Sequence, residues 1–225
     1  MIHKLFPYLC KNYVSMEYKN RIADKLLRDK LEAMGAVLIE GPKACGKTTT
    51  AEQQAKSIIY MDDPVKQEQY KQMAQTNIRF LLEGETPRLI DEWQHVPQFW
   101  DAIRFEVDHR DDDGQFMLTG SAVPADMKEI HHTGTGRYGW LTMRPMSLWE
   151  SGESTGEVSL SDLFLTPDRI GALNKLTLPM LAFAACRGGW PKSLQKKTEK
   201  AALSQVTEYY KAITNSDISR VDNVK

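Results

Sequence analysis

At 225 residues, with 41% hydrophobic and 26% charged side chains, the chain has ordinary soluble globular composition, enough for one large domain or for one domain and part of another. A formal charge of −1 supplies no overall drive toward nucleic acid or an anionic membrane surface. No apolar run approaches the roughly 20 residues of a membrane span, and the opening residues are not a signal peptide. The three scattered cysteines, Cys10, Cys45 and Cys186, suit reduced thiols in a cytoplasm better than a disulfide framework.

Residues 1–16 lack a clear period. From Glu17, the spacing of Ile22, Ala23, Leu26, Leu27, Leu31 and Met34 predicts a helix that Gly35 stops. Because this helix leads into the next strand, Arg21 and Ile22 are candidates for contact with a nucleotide base. Ala36–Glu40 reads as a short buried strand. It runs into Gly41-Pro42-Lys43-Ala44-Cys45-Gly46-Lys47-Thr48, which fits the phosphate-loop pattern G-x-x-x-x-G-K-[ST]. Thr49 to Lys56 reads as the helix that the loop should open. Glycines let the backbone curl so that successive N–H groups point inward at phosphate oxygens, and the helix N-terminus adds partial positive charge. Lys47 would reach the β- and γ-phosphates, and the Thr48 hydroxyl would hold Mg²⁺. Cys45, directly before Gly46-Lys47, is expected to bring its thiol near bound phosphates with a lowered pKa. A chain with this loop in this setting binds a nucleotide.

Ser57–Met61 is β-branched and aromatic-rich and ends at Asp62-Asp63-Pro64, a second strand. Val65 to Leu82 is helical, with Tyr70, Met73, Ala74, Phe80 and Leu81 on an apolar side. Arg88–Glu92 is a short strand ending in two adjacent carboxylates. At the carboxyl end of a parallel strand, Asp91 would face the same crevice as the phosphate loop and assist the metal, while Glu92 orients and deprotonates the attacking water. A helix through Val96, Phe99, Trp100, Ile103 and Val107 follows, and Gln115–Ser121 is a fourth strand. Thr119 and Ser121 at its end are candidates for contact with the γ-phosphate or the water, with plain turn-forming hydroxyls as the alternative. Arg137, in the loop Thr133-Gly134-Thr135-Gly136, could stabilise phosphoryl charge in its own subunit or a neighbour's, with a plain surface arginine as the alternative. Tyr138–Met143 is a candidate fifth strand. Alternating strands and helices of this length mean a parallel sheet covered on both faces. Beyond Pro145 the pattern turns helical near Pro179–Arg187 and Pro191–Asn215, the latter with Leu203, Val206, Tyr210 and Ile213 at helical spacing. His131-His132 lacks partners at metal spacing.

The phosphate loop, Leu89–Trp93, Leu118–Ala122, Gly136-Arg137, Arg144–Glu150 and Arg187–Pro191 occur in that order. With them the chain resembles the prokaryotic AAA-type P-loop ATPases that carry a C-terminal domain of unknown function, from about Glu17 onward. The resemblance implies an α/β three-layer sandwich with a parallel sheet ordered 5-1-4-3-2, followed by a small helical region. It divides the chain into an N-terminal segment and helix (1–35), an ATPase core (36–150), and a helical lid with the start of a C-terminal domain (151–225). It implies Lys47 and Thr48 as phosphate and Mg²⁺ ligands within a loop spanning Gly41 to Thr49, Asp91 at the metal, Glu92 as the base, Thr119 or Ser121 as sensor, and Arg137 as the arginine on the nucleotide side. The implied activity is Mg-dependent hydrolysis of ATP coupled to movement of an attached domain or partner, the alternative being a nucleotide-dependent binding switch. Nucleic acid as a partner is unsupported by the net charge. Members usually continue beyond the Asp217-Ile218-Ser219-Arg220 motif, so a chain stopping at Lys225 is expected to be an incomplete machine that self-associates through its C-terminal third.

Overall fold

The computed structural model describes residues 18–110, 112–120, 134–169 and 171–217. Five strands, β1 (Ala36–Glu40), β2 (Ser57–Tyr60), β3 (Arg88–Asp91), β4 (Phe116–Thr119) and β5 (Tyr138–Thr142), form one parallel sheet in the order β2-β3-β4-β1-β5. Read from the other edge, this is the order 5-1-4-3-2 that the resemblance implies. The register sets Ala36 beside both Phe116 and Tyr138, and Ile90 beside Ile59 and Leu118. Because all the strands run the same way, the chain leaves β1, β3 and β4 along one edge of the sheet, at Gly41, Glu92 and Gly120. Open parallel sheets bind ligands at that edge.

Side chains alternate across the two faces of each strand. Ala36 and Leu38 of β1 join Ile59, Ile90, Phe116, Leu118 and Tyr138 in one buried layer. Val37 and Ile39 join Leu89, Met117 and Leu141 in the other. The first layer is closed by α3 (Gln67–Asn77), α4 (Arg79–Leu82) and α5 (Phe99–Arg110), through Tyr70, Leu81, Phe99, Trp100 and Ile103. The second is closed by α1 (Ile22–Leu31) and α2 (Lys47–Glu52), through Ala23, Leu27, Leu31 and Ala51.

Three helical expectations are adjusted. Residues 65–82 form two helices meeting at Ile78, and Phe80 faces solvent because α4 turns Leu81 and Leu82 inward. Of the apolar side chains of α1, the Ala23–Leu27–Leu31 row is buried, while Ile22 and Leu26 are exposed. After β5 come the short helices α6 (Leu148–Ser151) and α7 (Leu160–Leu165), then α8 (Leu178–Arg187). The segment expected as one helix from Pro191 is two, α9 (Pro191–Leu194) and α10 (Glu199–Ala212), the second capped by the Thr198 hydroxyl accepting from the Ala201 N–H. The docked side of α10 carries Ala202 and Tyr209, so Leu203 and Tyr210 point outward. No described helix is long and apolar enough to cross a membrane.

Two ion pairs fasten the part after β5 to itself and to the rest. Arg187 of α8 grips both oxygens of Glu153 at 2.7 and 2.8 Å. Arg21, just ahead of α1, donates to Glu150 of α6 (2.9 Å), to the Cys45 carbonyl in the phosphate loop (3.0 Å) and to the Arg144 carbonyl (2.7 Å). Glu150 also accepts from the N–H groups of Ile22 and Ser147. Burial pushes the Glu150 carboxyl up, but these two N–H donors and the Arg21 guanidinium outweigh it and hold the group below its ordinary range. A depressed folded-state value means that the stabilisation is fully present above the ordinary value of 4.5 and is lost as pH falls through the lower, folded one. Both side chains are 5% exposed. Removing one partner of such a pair costs on the order of 3–5 kcal/mol. Arg21→Met should therefore lower the urea unfolding free energy at neutral pH by about that amount. In an acid series of urea titrations, Glu150→Gln should show a shallower loss of stability than the parent. A parental slope would mean that Glu150 is not tuned by these contacts.

Candidate nucleotide site

The loop from β1 to α2 curls through left-handed backbone at Ala44 (φ 61°) and Gly46 (φ 103°). Gly41 has no room for a side chain: a Cβ there would sit 2.1 Å from the Met143 carbonyl oxygen. The loop can thus pass beneath the end of β5 only with glycine at that position. Lys47 opens α2, is buried, and donates to the carbonyls of Gly41 (2.9 Å) and Pro42 (3.1 Å), which aim its ammonium across the loop.

At the floor of the site, Oδ1 of Asp91 accepts from the Thr48 hydroxyl at 2.7 Å and from the Thr119 hydroxyl. Burial raises the Asp91 pKa, opposed by the Thr119 and Thr48 donors. Thr48 and Asp91 thus present two adjoining hard oxygens, the donor type that Mg²⁺ takes. Glu92, one residue on, has left-handed backbone (φ 54°), uncommon for a residue with a Cβ. It lines a cavity of about 860 Å³ that also holds Lys43, Lys47, Thr48 and Thr49. This is within the roughly 300–1,000 Å³ of small-molecule sites.

The rest of the cavity wall escaped the sequence reading. Tyr18 lines it on one side, its hydroxyl donating to Asp24 (2.6 Å) and bonded to Thr50 (3.0 Å). Met146, Pro191, Lys192 and Leu194 line the other. The signal for this second wall was the Gly188-Gly189-Trp190-Pro191 run. A Cβ on Gly189 would be 1.9 Å from the Met146 carbonyl, so only glycine lets the α8–α9 turn pack so closely on the Met146 backbone. Tyr209 of α10 packs its ring at a tilt against Trp190, centroids 4.4 Å apart, and donates to the Lys43 carbonyl at 2.9 Å, joining α10 to the phosphate loop.

Four expectations for this site change. Cys45 does not face the cavity. Its side chain is fully buried among Val37, Ile39, Leu141 and Met143, with Sγ 3.9 Å from the Met143 carbonyl, and desolvation raises its thiol pKa despite Lys47 and Arg21 nearby. Only its backbone belongs to the loop. Arg137 is not beside its own phosphate loop: its carbonyl accepts from Ala36 at the start of β1, whereas the loop follows the end of β1. A strand of this length separates the two by roughly 16 Å. Arg137 is instead paired with Asp108 of α5 at 2.7 Å. Arg21 lines the cavity, but its guanidinium is engaged by Glu150 and two carbonyls, and Ile22 is exposed. Thr119 bonds Asp91, whereas Ser121, Cys10, His131, His132 and Arg220 lie outside the described residues.

A family model described as AAA domain matches residues 34–151. The chain belongs to that family. No curated protein matches it. Among solved structures, the chain is similar to that of PCH-2 from C. elegans, with 15% identity and a TM-score of 0.40, over 83% of this chain and 66% of that one. As an AAA domain, the chain is of the ATP-binding, ATPase-related class. The residues present fit ATP with Mg²⁺: a glycine-bent loop, a buried lysine beside it, and a threonine oxygen on the cavity wall with an aspartate oxygen bonded to it from behind.

The two described cysteines of this AAA domain should differ sharply in reactivity. Cys186 is exposed and Cys45 buried. Peptide mapping after brief maleimide treatment of the native protein should find Cys186 modified and Cys45 spared, with Mg-ATP making no difference to Cys45. Fast Cys45 labelling that ATP suppresses would place the thiol in the cavity after all.

Proposed function

We propose that this AAA domain binds Mg-ATP in the cavity between its phosphate loop and α9 and hydrolyses it, using turnover to move an attached domain or a partner. The observation that carries this reading is that Thr48 and Glu92 both line the cavity, with the Asp91 carboxylate bonded directly behind Thr48 and next to Glu92 in sequence. The loop amides and Lys47 bind the phosphates. Thr48 and Asp91 would hold Mg²⁺, which when bound neutralises charge on the phosphate oxygens. Thr119 keeps Asp91 oriented, and Glu92 accepts the proton of the attacking water. A carboxylate at that place argues for turnover over a pure binding switch, which has no need of a base.

On this reading residues 36–150 are the ATPase core, and 151–225 form a helical lid and the beginning of a further unit. The Tyr209 contact with the phosphate loop supports the lid as the moving part. Arg137, exposed at the far edge of the sheet, serves only a neighbouring copy's nucleotide, which makes a homo-oligomer the form in which it acts.

Lys47→Ala should abolish ATP binding or turnover, while Lys43→Ala should be far milder, since Lys43 enters the loop's contacts through its carbonyl. Equal losses at both lysines would contradict the assignment. Glu92→Gln should keep nucleotide binding and lose roughly 10²–10⁴-fold in steady-state phosphate release. An unchanged rate would remove Glu92 from the reaction.

A further inference from the structure

Glu92 does not stand alone. The chain leaves β3 into a single 3₁₀ turn, Trp93–His95, whose first cap is Glu92 in left-handed backbone. Trp93 is buried in the layer under α5, its ring tilted against that of Trp100 with centroids 5.5 Å apart, and this anchors the turn. With Trp93 held inward, the side chain two residues after Glu92 folds back toward it. The Gln94 amide nitrogen donates to Oε2 of Glu92. Glu92 borders the cavity and Gln94 does not, so the amide holds the carboxylate from behind, on the side away from the nucleotide.

The other end of the amide is equally confined. Oε1 of Gln94 is buried and has no hydrogen-bond partner among the described residues. It packs against Gly120, where a Cβ would come within 2.3 Å of Oε1 and 3.2 Å of Trp93. Gly120 directly follows Thr119, whose hydroxyl bonds Asp91. The glycine is in ordinary backbone here, so space alone calls for it. A buried carbonyl oxygen left unbonded is costly. That cost is accepted where the N–H end of the amide is needed in one place.

We infer that Gln94 is the positioning residue for Glu92, an amide wedged between the carboxylate and Gly120 that fixes the direction in which the base faces the attacking water. The inference rests on the hydrolytic reading above and adds to it a residue that touches neither nucleotide nor metal. A glutamate side chain rotates about three χ angles, and an error of about 1 Å at a reacting group can cost on the order of 10²-fold in rate. With Oε2 engaged by Gln94, Oε1 is the oxygen left to accept the proton of the water.

Gln94→Met keeps the length and removes the donor; Gln94→Glu keeps the shape and sets a second carboxylate against the first. Steady-state phosphate release and binding of a fluorescent ADP analogue, on the full chain, give the readout. Gln94→Met should lower kcat about ten- to a hundredfold with KM for ATP and analogue affinity unchanged, and Gln94→Glu should lower it further. Gly120→Ala, which drives the amide out from the opposite side, should reproduce the Gln94→Met pattern. The deciding measurement is the double variant: Glu92→Gln with Gln94→Met should be no slower than Glu92→Gln alone, because a positioning residue has nothing left to position. A parental kcat in Gln94→Met, a loss expressed in KM and affinity, or additive losses in the double variant would each overturn the inference. Parental turnover in Glu92→Gln itself would instead overturn the hydrolytic reading, and this inference with it.

Discussion

One carboxylate oxygen holds three elements of the site together. Oδ1 of Asp91 accepts from Thr48 at the start of α2 and from Thr119 at the end of β4, while Asp91 itself ends β3. The sheet sets β3 beside β4, and the chain crosses from β1 to α2 on the same edge, so the hydroxyls arrive from two sides. Burial works against the charge on Asp91, and the two donors work for it. A group so placed tolerates little change: either hydroxyl lost leaves a buried acceptor one donor short, and loss of the Thr48 hydroxyl also removes this tie between the phosphate-loop helix and the sheet.

The frame around this contact was readable because its signals are local and repeated. Short β-branched runs separated by helical periods specify a covered parallel sheet, and the register follows from alternation in β1, where Ala36 and Leu38 face one layer and Val37 and Ile39 the other. The phosphate loop was readable for a different reason. Its glycines answer to backbone geometry, as Gly41 against Met143 and Gly46 in left-handed conformation make plain. Periodicity was a poorer guide to the C-terminal helices. In α10 the apolar row Leu203–Tyr210 is the more regular, yet Tyr209 docks, because a hydroxyl reaching the Lys43 carbonyl and a ring meeting Trp190 outweigh a smoother hydrophobic stripe.

The site residues that misled did so through orientation, which spacing does not encode. Cys45 is next to Gly46 in the loop, but successive side chains of a curled backbone point to opposite sides, and this one points into the apolar layer. Arg137 stands just before β5, and parallel strand order places that end of β5 far from the loop. Arg21 was expected at a nucleotide base and proved to be a clasp joining the N-terminal segment, the loop and α6. Gln94, by contrast, is an unremarked neighbour in sequence whose importance depends on a three-residue turn bringing its amide back to Glu92.

The bond from Tyr209 to the Lys43 carbonyl also contributes to the docking of α10 on the loop. Swinging α10 away from the loop must break it, and an exposed, neutral hydrogen bond of this kind is worth about 0.5–1 kcal/mol net. That bond alone contributes roughly a two- to fivefold bias toward the docked arrangement, added to the Trp190 ring contact and the burial of Ala202. Its acceptor is main chain of the phosphate loop, so the position of α10 is tied to the loop's backbone rather than to any one of its side chains.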